Sequence, residues 1–442
     1  MSAVKFSFKP TGGPQVWFSQ PMIFLKWMLF ACVTGLVIGV VSAAFSACFH
    51  WAVHLRAKYP WLLLLLPAAG AAIAFVYRAC GMEHNRGTSQ VLDAVGEDAP
   101  VPLRTAPLVF VSTILTHLVG GSSGREGAIL QIGGSIASSV GRYLRLEAWD
   151  RRALTMCGMS AAFSALFGTP LAAATFVMEV VSVGVLYDAA IVPCVLSAFV
   201  GLLTARTLGV PGTDFTLAGI PDLAPLTLIQ AVGMGVLFAL LSILFCRIMH
   251  LPTELREKSR LGSVSWAALG GGLVIGLTLL VWLWNPGTFD YNGAGEDIIH
   301  AAAAGQARPE AFLLKIIFTA VTLGAGFKGG EIVPVFFTGA TFGCVAAPLL
   351  GLHPSFGAGL GMVSLFCGVT NCPVTSLLLA VELFAGDSPG LLTGHSLGLF
   401  AASIGVSFML SGYYGLYNGQ KFAFSKLRHE PINLRANEHT ER

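Results

Sequence analysis

Charged residues are scarce in this sequence. Asp, Glu, Lys and Arg make up 11% of its 442 positions, whereas hydrophobic residues make up 55%. Soluble globular domains average roughly 25% charged residues. The mean hydropathy of +0.73 over the whole chain shows that the apolar excess is not confined to one segment. These figures exclude a disordered chain, a collagen and a coiled coil, and they argue against a water-soluble enzyme. They predict a polytopic membrane protein.

Other features are missing as well, and each absence removes a class of function. The net charge of +3 comes without a basic stripe or arm, so we expect no nucleic-acid partner. The nine cysteines are scattered and lack C-x-x-C spacing, so we interpret them as small hydrophobic residues and expect no metal. HExxH, GxSxG and Walker motifs are missing too, so nothing indicates an enzyme or a cofactor.

Apolar runs follow one another from residue 22 to residue 412. A helix that spans a bilayer needs about 20 residues. Several runs reach this length, but those at 106–120 and 128–141 do not. Short apolar runs split by glycine are typical of transporters, whose helices stop inside the membrane. We therefore expect an all-α membrane protein that contains broken helices.

The chain also contains an internal repeat. Segments about 200 residues apart share residue types and spacing, as when proline and glutamate are nine positions apart in both copies. The matched pairs, the last of them weaker, are Pro170–Glu179 with Pro373–Glu382, Gly124–Gly127 with Gly329–Glu331, and Gly87–Ser89 with Gly295–Asp297. Two halves that hold broken helices predict a transporter whose site lies where the halves meet.

These patterns suggest a division of the chain. We expect a first membrane repeat at 21–248 and a second at 264–420, joined by a cytoplasmic linker at 249–263. Lys and Arg cluster in this linker and in the segment 421–442, and basic loops face the cytoplasm. We therefore expect both termini, including residues 1–20, to be cytoplasmic in a multi-pass protein of a bacterial-type cell membrane. The tail is too short for an appended regulatory domain such as a CBS domain.

A glycine-rich stretch, Gly120 to Gly127, precedes one of the short apolar runs. Glycines allow a tight turn that exposes backbone N–H groups, and a helix that begins there directs its positive end toward the turn. Such a helix start binds an anion without a metal. Glu126 lies at this position, where its carboxylate can replace the anion and can leave when it is protonated. Since ionisable groups at membrane depth are usually functional, we predict that Glu126 is both a gate and a proton carrier.

The second half repeats this arrangement between Gly326 and Pro334. Gly329 and Gly330 free the N–H groups, and Pro334 fits the first turn of a helix. Two helix N-termini that converge near the membrane midplane are suited to hold a small dehydrated anion. Glu331 is the second carboxylate at such a helix start.

At this point the sequence resembles the CLC family of chloride channels and anion/proton antiporters, over residues 30 to 420. Gly124–Gly127, which includes Arg125, is similar to the GREG motif, whose glutamate is the external gate. Gly330–Pro334 falls where the family has its G-x-F-x-P loop. The resemblance implies that the amides of Glu331 and Ile332 hold the central anion, with Arg125 and Gly127 also in the anion site.

Two further segments extend the resemblance. Gly87–Val91 occupies the place of the GSGIP motif, with Thr88 where the serine contacts the anion. Gly415–Tyr417 resembles the segment of the central tyrosine, so Tyr417 is expected to donate its hydroxyl to the anion, with Tyr414 as the alternative. The family fold implies two inverted-topology repeats of tilted helices and a homodimer with one pathway in each subunit.

Three departures bear on the transported ion. The GSGIP wording is altered, Ile332 replaces the phenylalanine and follows Glu331, and Val180 stands where chloride/proton antiporters carry an inner glutamate. This combination resembles the fluoride/proton antiporter branch. That branch usually has methionine or asparagine at the position of Thr88, which is closer to the chloride-type serine. We expect halide/proton exchange with fluoride efflux favoured. A chloride/proton antiporter and a passive voltage-gated chloride channel are the alternatives.

Other charged residues receive simpler interpretations. Glu179 and Glu382 each end an apolar run, and we expect them to face water or a basic partner. Lys328 is expected to neutralise Glu331, and His117 to be an ordinary hydrogen-bonded helix residue.

Overall fold

The computed structural model describes residues 14–83, 85–384, 394–428 and 430–437. The expected cytoplasmic ends therefore lie partly outside the described residues, at 1–13 and 438–442. Within the described parts there are sixteen α-helices. The first eight are α1 (Pro14–Lys58), α2 (Leu66–Ala79), α3 (Thr88–Glu97), α4 (Thr105–Leu118), α5 (Glu126–Tyr143), α6 (Ala148–Phe167), α7 (Pro170–Glu179) and α8 (Ile191–Thr207).

The second eight helices follow a segment without helix. They are α9 (Pro225–Lys258), α10 (Ser263–Trp282), α11 (Glu296–Ala303), α12 (Ala311–Gly324), α13 (Ile332–Ala346), α14 (Pro354–Thr370), α15 (Pro373–Phe384) and α16 (Gly394–Leu410). Three short strands, β1 (Ser182–Val183), β2 (Lys421–Phe424) and β3 (Pro431–Arg435), form one sheet in the order β1-β2-β3. The described part of the expected tail is therefore paired with the chain just after α7.

The helices form an inner and an outer set. Six helical stretches of the described chain are long and apolar enough to cross a membrane, among them most of α1, α9 and α10. These outer helices expose large hydrophobic side chains such as Leu25, Leu240 and Leu273. By contrast, α5, α6, α13 and α14 are buried along most of their length. An apolar exterior around a buried helical centre is what contact with lipid requires.

Helices α1–α8 and α9–α16 are two copies of one arrangement. Helix α1 packs against α4, α6 and α8, and α9 packs in the same way against α12, α14 and α16. Helices α6 and α14 both end at a residue with positive φ, Gly168 and Asn371, and proline begins the next helix two residues later. The structure thus separates the halves in the non-helical segment 208–224, rather than at the expected linker 249–263. Helix α9 belongs to the second half because its packing partners are there.

The two halves are joined at the glycine loops in front of α5 and α13. The N–H of Gly124 donates to the carbonyl of Gly330 at 2.6 Å, and the N–H of Gly330 donates back to Gly124 at 2.7 Å. This pair, named here the glycine clasp, is antiparallel, as expected for halves of inverted topology. It also corrects the expected alignment of the repeats. Gly124 lies opposite Gly330, so the repeat partner of Glu126 is Ile332, which begins α13 as Glu126 begins α5.

Helices α7 and α15 form a second contact between the halves. The Glu179 carboxylate accepts hydrogen bonds from the backbone N–H groups of Val374 and Thr375, at 3.0 and 2.9 Å, and from the Thr375 hydroxyl at 2.6 Å. The Glu382 carboxylate accepts from the N–H groups of Leu171 and Ala172, at 2.9 and 2.8 Å. Each acid therefore caps the helix N-terminus of the other half. The expectation that they face water or a basic partner is wrong, because free N–H groups of a helix start satisfy them.

Candidate functional site

The N-termini of α5 and α13 meet on either side of the glycine clasp. The first backbone bond within α5 runs from the Ile129 N–H to the Arg125 carbonyl, at 3.1 Å. In α13 the corresponding bond runs from Val335 to Glu331, also at 3.1 Å. The N–H groups before these bonds have no acceptor inside their own helix. Two sets of free N–H groups, each at the positive end of a helix, can bind an anion.

Glu126 folds back over the start of its own helix. One carboxylate oxygen accepts the Arg125 backbone N–H at 3.0 Å, and the other lies 3.3 Å from the Arg125 Nε. The side chain is only 3% exposed. The carboxylate is thus held by the same kind of backbone donor that an anion would use.

Arg125 is paired with two carboxylates. Its guanidinium lies 3.3 Å from Glu126 Oε1 and 3.3 Å from Glu296 Oε1 of the other half. The same group lies over the Phe49 ring at 5.1 Å, and Nη1 is 3.4 Å from His50 Nε2. Sequence reasoning missed Glu296 as a partner. The only signal for it was the weak match of Gly295–Asp297 with Gly87–Ser89.

Glu331 directly precedes α13 and follows Gly330 of the clasp. Its Oε2 is buried and has no hydrogen-bond partner among the described residues. A Cβ atom added to Gly127 would lie 3.1 Å from this oxygen and 3.4 Å from the Thr88 hydroxyl oxygen. That hydroxyl is 3.5 Å from both the Gly127 carbonyl and the Gln131 amide nitrogen. Thr88, Gly127 and Glu331 are therefore neighbours.

A cavity of about 700 Å³ opens beside Glu331. Its polar lining residues include Thr88, Gln131, Lys328, Glu331 and Tyr417. The Tyr417 hydroxyl and Gln131 Oε1 are buried without a hydrogen-bond partner in the described chain. Buried polar atoms are normally paired, so a group of unpaired ones around a cavity indicates a ligand site.

The two candidate tyrosines occupy different surroundings. The Tyr414 hydroxyl accepts a hydrogen bond from Arg247 Nη2 at 2.6 Å, and that guanidinium also covers its ring. Tyr417 is the one that lines the cavity with Glu331. Among the other predicted residues, Gly330 forms the clasp and Ile332 begins α13 with a fully buried side chain.

Two nearby residues have local partners. The Lys328 ammonium, expected to neutralise Glu331, lies over the Tyr77 ring at 4.5 Å. Val180, at the place of the inner glutamate, is fully buried, and its carbonyl accepts from the Gln420 amide at 2.9 Å. Position 180 thus offers no proton-carrying side chain, as its identity implied.

Comparison with known proteins agrees with this fold. The family model for the voltage-gated chloride channel matches residues 69–407. The chain is 33% identical, over 415 residues, to a chloride/fluoride channel protein of Pseudomonas syringae pv. tomato, and the match covers 92% of this chain and 88% of that one. It is 26% identical to the H⁺/Cl⁻ exchange transporter ClcA of Cronobacter sakazakii, covering 81% of this chain and 82% of ClcA.

Two solved structures share the architecture. A CLC-type fluoride/proton antiporter superposes with a TM-score of 0.83 and 30% identity, covering 90% of this chain and 98% of that one. A slow cyanobacterial Cl⁻/H⁺ antiporter superposes with a TM-score of 0.71 at 18% identity, covering 87% and 94%, and shows the shared fold. The family model and the relatives together show that this chain belongs to the voltage-gated chloride channel, or CLC, family.

Proposed function

We propose that this protein is a halide/proton antiporter that exports fluoride, with Glu126 as its gate and proton carrier. The observation that carries the proposal is the Glu126 carboxylate, which is folded onto the positive end of its own helix at the glycine clasp. In this position it competes with a permeating anion for the same donors. Protonation removes its charge and with it the attraction to the helix N-terminus and to Arg125.

The proposed cycle uses both sides of the clasp. A halide enters the cavity beside Tyr417 and is held by the free N–H groups at Glu331 and Ile332. Thr88 and the Tyr417 hydroxyl supply further donors, and Gly127 and Gly330 allow the close approach of the two loops. When Glu126 takes up a proton and leaves its site, the anion passes the clasp. The returning carboxylate expels the anion and couples the two fluxes.

Fluoride is favoured over chloride for two reasons. A chloride/fluoride channel protein and a fluoride/proton antiporter are both similar to this chain at 30% identity or more. In addition, Glu331 places a carboxyl group with an unpaired oxygen inside the cavity lining. A protonated carboxyl group donates a strong hydrogen bond to a small, hard anion such as fluoride. Chloride/proton exchange and a passive chloride channel are the remaining candidates.

The proposed setting is a homodimer in a bacterial cell membrane, with one pathway per subunit, a cytoplasmic N-terminus and a cytoplasmic tail. The family relatives and the apolar outer helices support the membrane placement. The basic residues Arg86, Arg256 and Lys328 around the mouth of the cavity support a cytoplasmic orientation for that mouth. We propose transport rather than enzymatic activity or nucleic-acid binding as the function.

The test is a flux assay in proteoliposomes, read with a fluoride electrode and an external pH electrode. A fluoride gradient is expected to drive proton movement, and chloride is expected to move more slowly. Glu126→Gln is expected to abolish this coupling while the protein still folds, because the glutamine side chain cannot take up and release a proton. Asp297→Asn, which changes an exposed acid, is the control. Halide flux without proton flux in the wild type would identify a channel, and equal chloride and fluoride rates would refute the assigned ion.

A further inference from the structure

Glu296 is the solvent-facing member of a chain of charges that ends at the gate. Its Oε1 lies 3.3 Å from the Arg125 guanidinium, which also lies 3.3 Å from Glu126. The side chains of Arg125 and Glu126 are 7% and 3% exposed, whereas that of Glu296 is 39% exposed. One buried guanidinium is thus shared between a buried carboxylate at a helix start and a second carboxylate that water reaches.

The position of Glu296 next to Arg125 follows from the internal repeat. Glu296 begins α11 directly after Gly295, which has φ +80°, and Thr88 begins α3 directly after Gly87, which has φ +61°. The two helices occupy the same place in the two halves. The inverted relation that exchanges Gly124 with Gly330 therefore exchanges Thr88 with Glu296.

Because of this correspondence, Thr88 and Glu296 occupy equivalent positions in the two halves but carry different chemical groups. On the cavity side, Thr88 is a neighbour of Glu331 and of Gly127, the second residue of α5. On the other side, Glu296 contacts Arg125, the residue before α5. A neutral hydroxyl on one side is thus replaced by a negative charge on the other.

The remaining charges near the gate come from several elements. His50 on α1 contacts Arg125, and His117 on α4 lies 2.9 Å from the Ser123 carbonyl. Lys315 on α12 donates to the Gly293 carbonyl at 2.7 Å, and Arg56 on α1 lies over the Phe289 ring. The other nearby acids, Glu331 and the exposed Asp297, form no ion pair with Arg125. Within the described residues, Glu126 and Glu296 are the carboxylates paired with this guanidinium.

We propose that Glu296 is a positioning residue that sets the pH at which Glu126 leaves its site. The inference rests on the proposed role of Glu126 as the gate. Arg125 attracts the Glu126 carboxylate, and Glu296 offsets part of that attraction by sharing the same guanidinium. Neutralising Glu296 leaves the attraction unopposed. The charged, closed form of Glu126 is then more stable, and a higher proton concentration is needed to open the gate.

The experiment measures fluoride efflux from proteoliposomes over a range of pH, equal on both sides, with the flux of protein-free vesicles subtracted. Glu296→Gln is expected to shift the midpoint of the pH profile by about one unit toward acid, because it removes one unit charge from the shared guanidinium. Flux at neutral pH then falls by up to about tenfold. Glu296→Asp, which keeps the charge, restores most of the profile, and Asp297→Asn leaves it unchanged.

The outcomes separate this inference from the proposed function. In a Glu126→Gln background, adding Glu296→Gln is expected to change nothing, because the group that responds is already gone. If Glu126→Gln keeps full proton coupling, the proposed function itself fails. If Glu126→Gln abolishes coupling but Glu296→Gln shows the wild-type profile or an alkaline shift, Glu296 has no such role and only this inference is overturned.

Discussion

The two halves meet at two pairs of carboxylates, and the pairs behave in opposite ways. Glu179 and Glu382 are true repeat partners, and each caps the helix of the other half with every carboxylate oxygen bonded. Glu126 and Glu331 look like partners in the sequence but are not. Glu126 binds Arg125 and its own helix start, whereas Glu331 leaves one oxygen without a partner among the described residues.

This difference matches the distinction between structural acids and the acids proposed to be functional. A buried carboxylate whose hydrogen bonds are complete stabilises the fold and has no reason to move. A buried carboxylate that is incompletely paired, or paired with a shared cation, is destabilised in place and can respond to a proton or an anion. The same residue type in the same membrane domain therefore has two uses, and the repeat symmetry distinguishes them.

The largest effect on stability is expected where the symmetric pair is broken. Glu179 accepts three hydrogen bonds, and in Glu179→Gln the amide NH₂ faces a backbone N–H donor. We expect a loss of about 3 kcal/mol in the free energy of unfolding, because the charged acceptor is lost and a buried N–H donor at the start of α15 is left without an acceptor. Glu382→Gln should cost somewhat less, since Glu382 accepts two hydrogen bonds whereas Glu179 accepts three.

Unfolding in detergent measures this effect, and Glu254→Gln is the matched control because Glu254 is exposed on α9. That control should change stability by less than about 0.5 kcal/mol. The protein that remains folded in Glu179→Gln should keep the wild-type ratio of protons to halide. A changed ratio with unchanged stability would place Glu179 among the functional acids instead.

A smaller loss of stability is expected at the glycine clasp, which Glu126 and Glu331 adjoin. A Cβ at Gly330 would overlap the Gly127 nitrogen, so Gly330→Ala forces the two loops apart. We expect it to cost about 2 kcal/mol, as overpacking typically does, and to disturb anion transport strongly. Gly272→Ala on α10, where a Cβ would meet no atom within 4 Å, is the control. Equal effects of the two substitutions would contradict the clasp.

The sequence points to Glu126 and Glu331 as candidate site residues because glycine clusters and charges are conspicuous in an apolar chain, and the family resemblance adds Thr88. It also predicts the all-α repeat architecture. The sequence does not predict which half contains α9, because the sequence of a long apolar helix does not identify the helices against which it packs. The cross-capping of Glu179 and Glu382 depends on the antiparallel contact of two distant helices, which no local pattern encodes.

The alignment of the repeats fails by one residue for a physical reason. Gly329 and Gly330 are adjacent, so either can be matched with Gly124, and only the hydrogen-bonded pairing selects Gly330. The same shift removes Glu331 as the partner of Glu126. Glu296 is missed because its role depends on an ion pair between the halves.

The smallest effects on stability are expected for Tyr414 and Tyr417. Their uncharged hydroxyl groups offer the same comparison between a hydrogen-bonded polar group and one without a partner in the described chain. The Tyr414 hydroxyl is bonded to Arg247, so Tyr414→Phe should cost about 1 kcal/mol and leave halide transport unchanged. The buried Tyr417 hydroxyl has no partner in the described chain, so Tyr417→Phe should not lower stability measurably.

Tyr417→Phe should instead weaken halide binding several-fold, as expected when one hydrogen bond to an anion is lost. Both variants are measured by titration calorimetry with fluoride and by thermal unfolding. In each method, one tyrosine variant is the control for the other. If Tyr414→Phe reduced halide binding while Tyr417→Phe reduced stability, the assignment would be reversed. An incompletely paired polar atom would then not mark the transport site, and the distinction drawn for the carboxylates would lose its basis.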